Sequence, residues 1–231
     1  MSETILEARS LGHAFDYPLY RDVSLQIARG ESVAVMGRSG SGKSTLLHTL
    51  SGLIPPLEGE VLLFGEDLYG LKEEAKERLR RYRTGIVFQS HYLFKGMSGR
   101  ENVEIAALLA EQPMDTELLE RLEIAEVIDQ KVSELSGGQQ QRISLARVLS
   151  KKPEIIFADE PTGNLDAQTA DLVMQVLMEY VAGEKAALFM VTHDPAVAAS
   201  CQRIYRLEDQ ELRVPRARTG KNPAVGIGKK I

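Results

Sequence analysis

The sequence predicts an α/β fold built on a mainly parallel sheet, and three observations predict it. Two strongly apolar runs, Glu154–Ala158 and Ala187–Val191, have the near-continuous hydrophobicity of strands covered on both faces. An amphipathic helical segment lies between them, which gives the strand–helix–strand order of a parallel unit. An earlier β-type run, Ser32–Met36, passes through a glycine-rich loop directly into a helical stretch carrying Leu46, Leu47 and Leu50.

Taken in order, β-type runs come first, at Ile5–Ala8, Val23–Ile27, Ser32–Met36 and Val61–Phe64. A charged helical stretch over Leu71–Tyr82 precedes another β run, Gly85–Phe88. From about Asn102 to Leu149 the periodicity is helical: Leu118, Leu119 and Leu122 fit one apolar face, as do Ile143, Ala146 and Leu149. Leu172, Val173, Val176, Leu177, Tyr180 and Val181 recur at i, i+1, i+4 and i+5, and Gly183 is expected to stop that helix. No Pro/Gly/Ser linker sets the helical middle apart, so it reads as an insertion into the sheet. The expectation is a single domain, with a core from 1–88 and 151–214, a helical insertion at 89–150 and a basic, poorly ordered tail at 215–231.

Composition narrows the class. The chain has 231 residues, 43% hydrophobic and 26% charged, as an ordinary globular protein does. A net charge of −5 argues against general nucleic-acid binding, which needs a basic face to displace counterions. No apolar stretch approaches the ~20 residues needed to span a bilayer, and the N-terminus has no charged-then-apolar signal pattern. A chain made and kept in the cytoplasm is expected. The single cysteine, Cys201, has no internal disulfide partner and reads as a small apolar filler. Six basic residues and no acid fall in 212–231, leaving 22 basic against 33 acidic residues in 1–211. That tail is either a solvated terminus or a patch attracted to anionic headgroups or a partner.

Three motifs carry chemistry. The first is Gly37-Arg38-Ser39-Gly40-Ser41-Gly42-Lys43-Ser44, between a strand and a helix. Its glycines let consecutive backbone N–H groups turn toward a phosphate, and the helix start adds its positive dipole end. Lys43 supplies a point charge to the β- and γ-phosphates, and Ser44 a hydroxyl to Mg²⁺. The second is Ile155-Ile156-Phe157-Ala158-Asp159-Glu160, an apolar strand ending in two acids where strand ends line a ligand crevice. Asp159 is placed there to hold the Mg²⁺ shell and Glu160 to polarise an attacking water. The third is Leu135-Ser136-Gly137-Gly138-Gln139-Gln140-Gln141-Arg142, at a helix start. Ser136 is there simply an N-cap, or the serine and glycines form a second anion site.

Leu-Ser-Gly-Gly-Gln between a phosphate loop and an Asp-Glu strand resembles the ABC transporter ATPases, over about residues 3–214. The resemblance implies a P-loop NTPase fold with an N-terminal antiparallel β subdomain. It makes Gln89, in Val87-Phe88-Gln89, the residue that senses metal and water where core and helical subdomain meet. It makes His193, in Thr192-His193-Asp194, a switch that contacts the γ-phosphate. Asp166, in Pro161-Thr162-Gly163-Asn164-Leu165-Asp166, lies at a dimer interface, caps the next helix, or does both. Phe15 stands where the family stacks an aromatic on adenine, and Tyr17 competes for the role. The nucleotide-binding set runs from Gly37 through Thr45 and includes Ser136, Gly138, Gln139 and Asp166. Ile204–Val214 resembles the closing hairpin, with Gln210 where that turn usually has glycine. Pro-Thr-Gly-Asn-Leu-Asp and Gly-Gln-Gln-Gln-Arg are nearest the subgroup serving lipoprotein release, macrolide or peptide efflux and division-associated complexes. Where that subgroup has a Leu/Pro-rich stretch ending in Leu-Thr, this chain reads Leu93-Phe94-Lys95-Gly96-Met97-Ser98-Gly99-Arg100, in a region that faces the membrane subunit in the family.

The resemblance implies a homodimeric ATPase with ATP and Mg²⁺ as its ligands. It also implies a transmembrane permease subunit on a separate chain, through which the ATPase sits on the inner face of the cell membrane. A regulatory cassette gating a membrane or periplasmic partner without transport would share the same motor chemistry. A soluble DNA-repair or translation cassette usually carries coiled-coil, zinc or duplicated-cassette insertions, none of which is seen here. A small-molecule kinase would share Lys43 and Ser44 but has no use for Leu135–Gln139.

Overall fold

Chain order, in a computed structural model that describes residues 3–163 and 165–214, begins with β1 (Thr4–Ala14), β2 (Pro18–Ala28), β3 (Ser32–Met36) and α1 (Lys43–Leu50). It continues through β4 (Glu58–Leu63), β5 (Glu66–Asp67), α2 (Glu73–Arg78) and β6 (Thr84–Val87). The helical middle comprises α3 (Gly99–Leu109), α4 (Thr116–Arg121) and α5 (Gly137–Leu149). The rest is β7 (Ile155–Asp159), α6 (Ala167–Glu184), β8 (Ala187–Thr192), α7 (Pro195–Ala198), β9 (Arg203–Glu208) and β10 (Glu211–Arg213).

Six strands form the central sheet in the order β10-β9-β3-β8-β7-β6, parallel throughout except for the closing β9–β10 hairpin. Its three middle strands are buried at every residue, so side chains alternate between two cores. Val33, Val35, Ile155, Phe157, Phe189 and Val191 point to the α1 side, which the antiparallel sheet β2-β1-β4-β5 covers. Ala34, Met36, Ile156, Ala158, Leu188 and Met190 point to the opposite side, under α5 and α6. The α/β class, the mainly parallel core, the N-terminal antiparallel sheet and the helices inserted between β6 and β7 all agree with the sequence reading.

The elements differ from that reading where backbone detail decides. The expected Leu71–Tyr82 helix is α2 followed by a wider π turn over Leu79–Arg83. The Asn102–Leu149 periodicity is broken into α3, α4, a single 3₁₀ turn at Val132–Glu134 and α5, with Glu111 and Glu123 left-handed after α3 and α4. Gly183 does not stop α6, which runs to Glu184 and ends on Lys185 at φ 52°. Asp209 and Gln210 take φ of 51° and 68°, so Gln210 adopts the backbone that glycine adopts without cost. The basic tail expected at 215–231 lies outside the described residues.

Gly85, in edge strand β6, sets how closely α5 approaches the sheet four residues before Gln89. A Cβ there would meet Val148 Cγ1 at 2.5 Å and Pro153 Cγ at 3.0 Å. Gly85→Ala is therefore expected to overpack this seam and lower unfolding free energy by about 1–3 kcal/mol. Denaturant titration should show a lower midpoint with an unchanged slope.

Candidate functional site

The glycine-rich loop leaves β3 at its C-terminal end and turns into α1. Gly42, the residue before the helix, has φ 93°, and a Cβ on it would also press on Leu19 Cβ at 3.0 Å. No side chain caps α1, whereas Ser98, Asp115, Ser136, Asp166 and Asp194 cap α3 to α7. The first N–H groups of α1 are thus left for an external acceptor. Lys43 is buried, and its Nζ donates to the carbonyls of Gly37 and Arg38, each at 2.9 Å, holding the ammonium across the loop.

Parallel pairing brings the ends of β7 and β8 beside that loop. Ser44 Oγ donates to Asp159 Oδ1 at 3.0 Å. Burial raises the Asp159 carboxyl above its ordinary range, against the pull of the Ser44 hydrogen bond. Such a buried carboxylate next to a serine hydroxyl suits a hard cation that takes oxygen ligands. Among the described residues no group of three or more His, Cys, Asp or Glu side chains could hold a metal. Mg²⁺ does not require one, because it keeps waters and substrate phosphate oxygens in its shell.

Glu160 follows Asp159 with φ 46°, a left-handed backbone that is uncommon outside glycine. Hydrogen bonds fix it from both sides: its N–H donates to the Val191 carbonyl at 3.0 Å, and its carbonyl accepts from Gly163 N at 2.9 Å. Its carboxylate accepts from Thr192 Oγ1 at 3.1 Å and from the His193 amide at 3.3 Å, and lies 2.9 Å from His193 Nδ1. Backbone strain held in place by surrounding bonds is characteristic of working sites.

A cavity of 470 Å³ joins these parts. Lys43, Ser44, Thr45, Gln89, Glu160 and His193 line it, with Ser39, Gly40 and Gly42 from the loop. At its far end stand Phe15 and Tyr17 with Leu19, around the turn of the β1–β2 hairpin. Both aromatic rings are exposed, and the geometry does not choose between them. The cavity's dimensions and its graded walls, cationic then polar then aromatic, match a nucleoside triphosphate.

Ser136, Gly138, Gln139 and Asp166 lie outside this cavity. Ser136 caps α5 in a reciprocal box: its Oγ accepts from Gln139 N at 3.3 Å, and its own N–H donates to Gln139 Oε1 at 2.8 Å. Asp166 caps α6, accepting from Thr169 N at 3.0 Å and Thr169 Oγ1 at 2.7 Å, and these bonds hold its carboxyl below the usual range. The two helix starts adjoin, since a Cβ on Gly138 would lie 3.4 Å from Thr169 Cγ2. The nominated residues thus form two clusters: one around Lys43, one around Ser136.

Two participants were missed from sequence. Thr192 bonds Glu160 directly, and nothing distinguishes a threonine at the end of an apolar strand. Gln141 is buried, and its Nε2 donates to the Pro161 carbonyl at 2.6 Å, tying α5 to the loop after Glu160. A glutamine on the inner face of a helix was the available signal.

Comparison with known proteins supplies the context. The family profile described as ABC transporter matches residues 20–163. The chain is 44% identical over 197 residues to the ABC transporter ATP-binding protein YbbA of Escherichia coli strain K12, covering 83% of this chain and 86% of that one. It is 38% identical over 224 residues to the lipoprotein-releasing system ATP-binding protein LolD of Pseudomonas fluorescens, covering 92% and 99%. Among solved structures it resembles the dimeric ATP-binding cassette MJ0796 bound to ADP and Pi, with a TM-score of 0.81, 34% identity and coverage of 90% and 96%.

Lys43 and Glu160 touch different parts of the cavity, so their losses should separate. Glu160→Gln is expected to retain ATP affinity while turnover falls at least ~10²-fold, and Lys43→Ala to weaken ATP binding itself. Fluorescent-nucleotide titration and steady-state phosphate release measure the two effects independently.

Proposed function

The chain belongs to the ABC transporter family, and from that premise we propose that it is the ATP-hydrolysing half of a homodimer that drives a membrane subunit on a separate chain. ATP binding and hydrolysis are properties of the family. The dimer and the roles of single residues are our reading.

One observation carries the dimer. α5 presents an exposed Ser136-Gly137 start with the features of an anion site, yet it contributes nothing to the cavity that holds Lys43. A second copy, turned head to tail, brings that start against the phosphates and accounts for both clusters with one nucleotide per cavity. The capping role does not compete. A serine hydroxyl that accepts from the Gln139 amide still has its own O–H to donate to a phosphate oxygen. The MJ0796 cassette, described as dimeric and bound to ADP and Pi, supports a dimer.

Within one cavity the geometry supports the following roles. Backbone amides at the start of α1 and the Lys43 ammonium hold the phosphate chain, and Phe15 or Tyr17 stacks on the base. Ser44, Asp159 and Gln89 would hold Mg²⁺, which when bound draws charge from the phosphate oxygens. Glu160 accepts the proton of the attacking water, with Thr192 and His193 fixing its carboxylate. Gln89 opens the helical insertion, so its contact with metal and water couples nucleotide state to the position of 90–150. No helix among the described residues is long and apolar enough to cross a membrane, so attachment to a bilayer would come through the partner.

A composite site makes Ser136 matter to catalysis without touching the Lys43 end. Ser136→Arg should leave ATP affinity within about threefold and reduce turnover at least ~10²-fold. Turnover that survives the substitution would confine Ser136 to capping α5.

A further inference from the structure

Behind the aromatic end of the cavity lies a buried histidine. Phe15 and Tyr17 sit in the turn of the β1–β2 hairpin, 63% and 59% exposed, so neither exposure nor place in the cavity ranks them. The packing behind them does. His13, two residues before Phe15 on β1, is 6% exposed. Its ring meets that of Phe15 edge to face, with centroids 5.0 Å apart and planes at 61°. Among the described residues no ring pair involves Tyr17. Register shifts flank His13 on both sides in the β1–β2 pairing, and such irregularities re-aim a side chain.

His13 is itself fixed from behind. It stands opposite Tyr20 of β2 in the strand register, with ring centroids 6.0 Å apart. The Tyr20 hydroxyl shares a 2.9 Å hydrogen bond with Thr49 Oγ1 of α1, and both residues are buried. Tyr20 also backs the phosphate loop, since a Cβ on Gly42 would lie 3.5 Å from Tyr20 Cδ1. Phe15, His13, Tyr20 and Thr49 therefore form a continuous row from the base end of the cavity to the helix whose start faces the phosphates. His13 Nδ1 is buried without a hydrogen-bond partner, so the imidazole acts here through its ring. An exposed aromatic ring loses rotamer freedom when a base settles on it, and a ring held beforehand has less to lose.

We propose that His13 is a positioning residue of the base site: it holds the Phe15 ring at a set distance from the phosphate loop and so makes Phe15 the platform on which the base stacks. The inference deepens the reading that Phe15 or Tyr17 stacks on the base, and it rests on that reading. Lys43, Ser44 and Glu160 serve the other end of the nucleotide. A ligand with phosphates and no base is therefore indifferent to His13.

The test uses the full chain and two probes, ATP and inorganic tripolyphosphate, each with Mg²⁺. Affinities are read by competition with a fluorescent nucleotide whose own affinity is measured for every variant. His13→Ala should weaken ATP at least ~5-fold and tripolyphosphate less than about twofold, raising KM with kcat within about twofold. His13→Phe, which keeps a ring, should bind ATP within about twofold of the unsubstituted chain. Phe15→Ala should weaken ATP at least as much as His13→Ala, and combining the two should cost no more than about twofold further. Tyr17→Ala should weaken ATP less than Phe15→Ala does. Equal losses for both probes in His13→Ala would make His13 a packing residue of the hairpin and overturn the proposal. So would an unchanged ATP affinity in His13→Ala while Phe15→Ala or Tyr17→Ala lowers it. If Phe15→Ala, Tyr17→Ala and their combination all bind ATP as the unsubstituted chain does, the stacking reading itself fails.

Discussion

A chain of phosphates brings several negative charges into a small volume, and it binds well only where the donors are fixed before it arrives. That requirement organises this molecule. β3 is buried at every residue, so the loop that leaves it starts from an immobile point. Gly42 at φ 93° turns the backbone into α1 where a side chain would strain it, and the start of α1 carries no capping side chain of its own. Lys43 is held by carbonyls of the loop it belongs to, which fixes an ammonium that would otherwise sample many rotamers. Because β8 and then β7 lie next to β3 in parallel, their C-terminal ends deliver Thr192, His193, Asp159 and Glu160 to the same rim.

The second consequence is mechanical. Glu160 sits in a strained left-handed conformation that its neighbours hold, and the loop after it is bonded to α5 through Gln141 and the Pro161 carbonyl. α5 in turn carries Ser136 at one end and, near the other, Arg147, which holds the segment after Gln89. One helix therefore joins the loop after Glu160, the Ser136 helix start and the segment after Gln89.

Much of this was legible in the sequence, for definite reasons. Strands buried on both faces must be apolar throughout, which is why Glu154–Ala158 and Ala187–Val191 stood out. The phosphate loop is specified by backbone geometry that few residues besides glycine accept. Ser136 was readable as an N-cap because capping is local. Contacts between distant segments were not legible. Lys151, in Lys-Lys-Pro, reads as a solvated charge until α5 is packed against the end of the π turn, where its ammonium meets the Arg80 and Thr84 carbonyls. Gly183 read as a stop, yet the backbone reserved its left-handed residue for Lys185. Phe15 and Tyr17 flank one turn of one hairpin, and no local pattern ranks them.

The central claim is that two anion sites on one chain serve one nucleotide across two chains. Sedimentation equilibrium of Glu160→Gln, with and without saturating ATP and Mg²⁺, tests it most directly, because slowed hydrolysis preserves the closed state. The account predicts the mass of one chain without nucleotide and of two chains with it. A single-chain mass at ATP concentrations that fill the Lys43 cavity would contradict it.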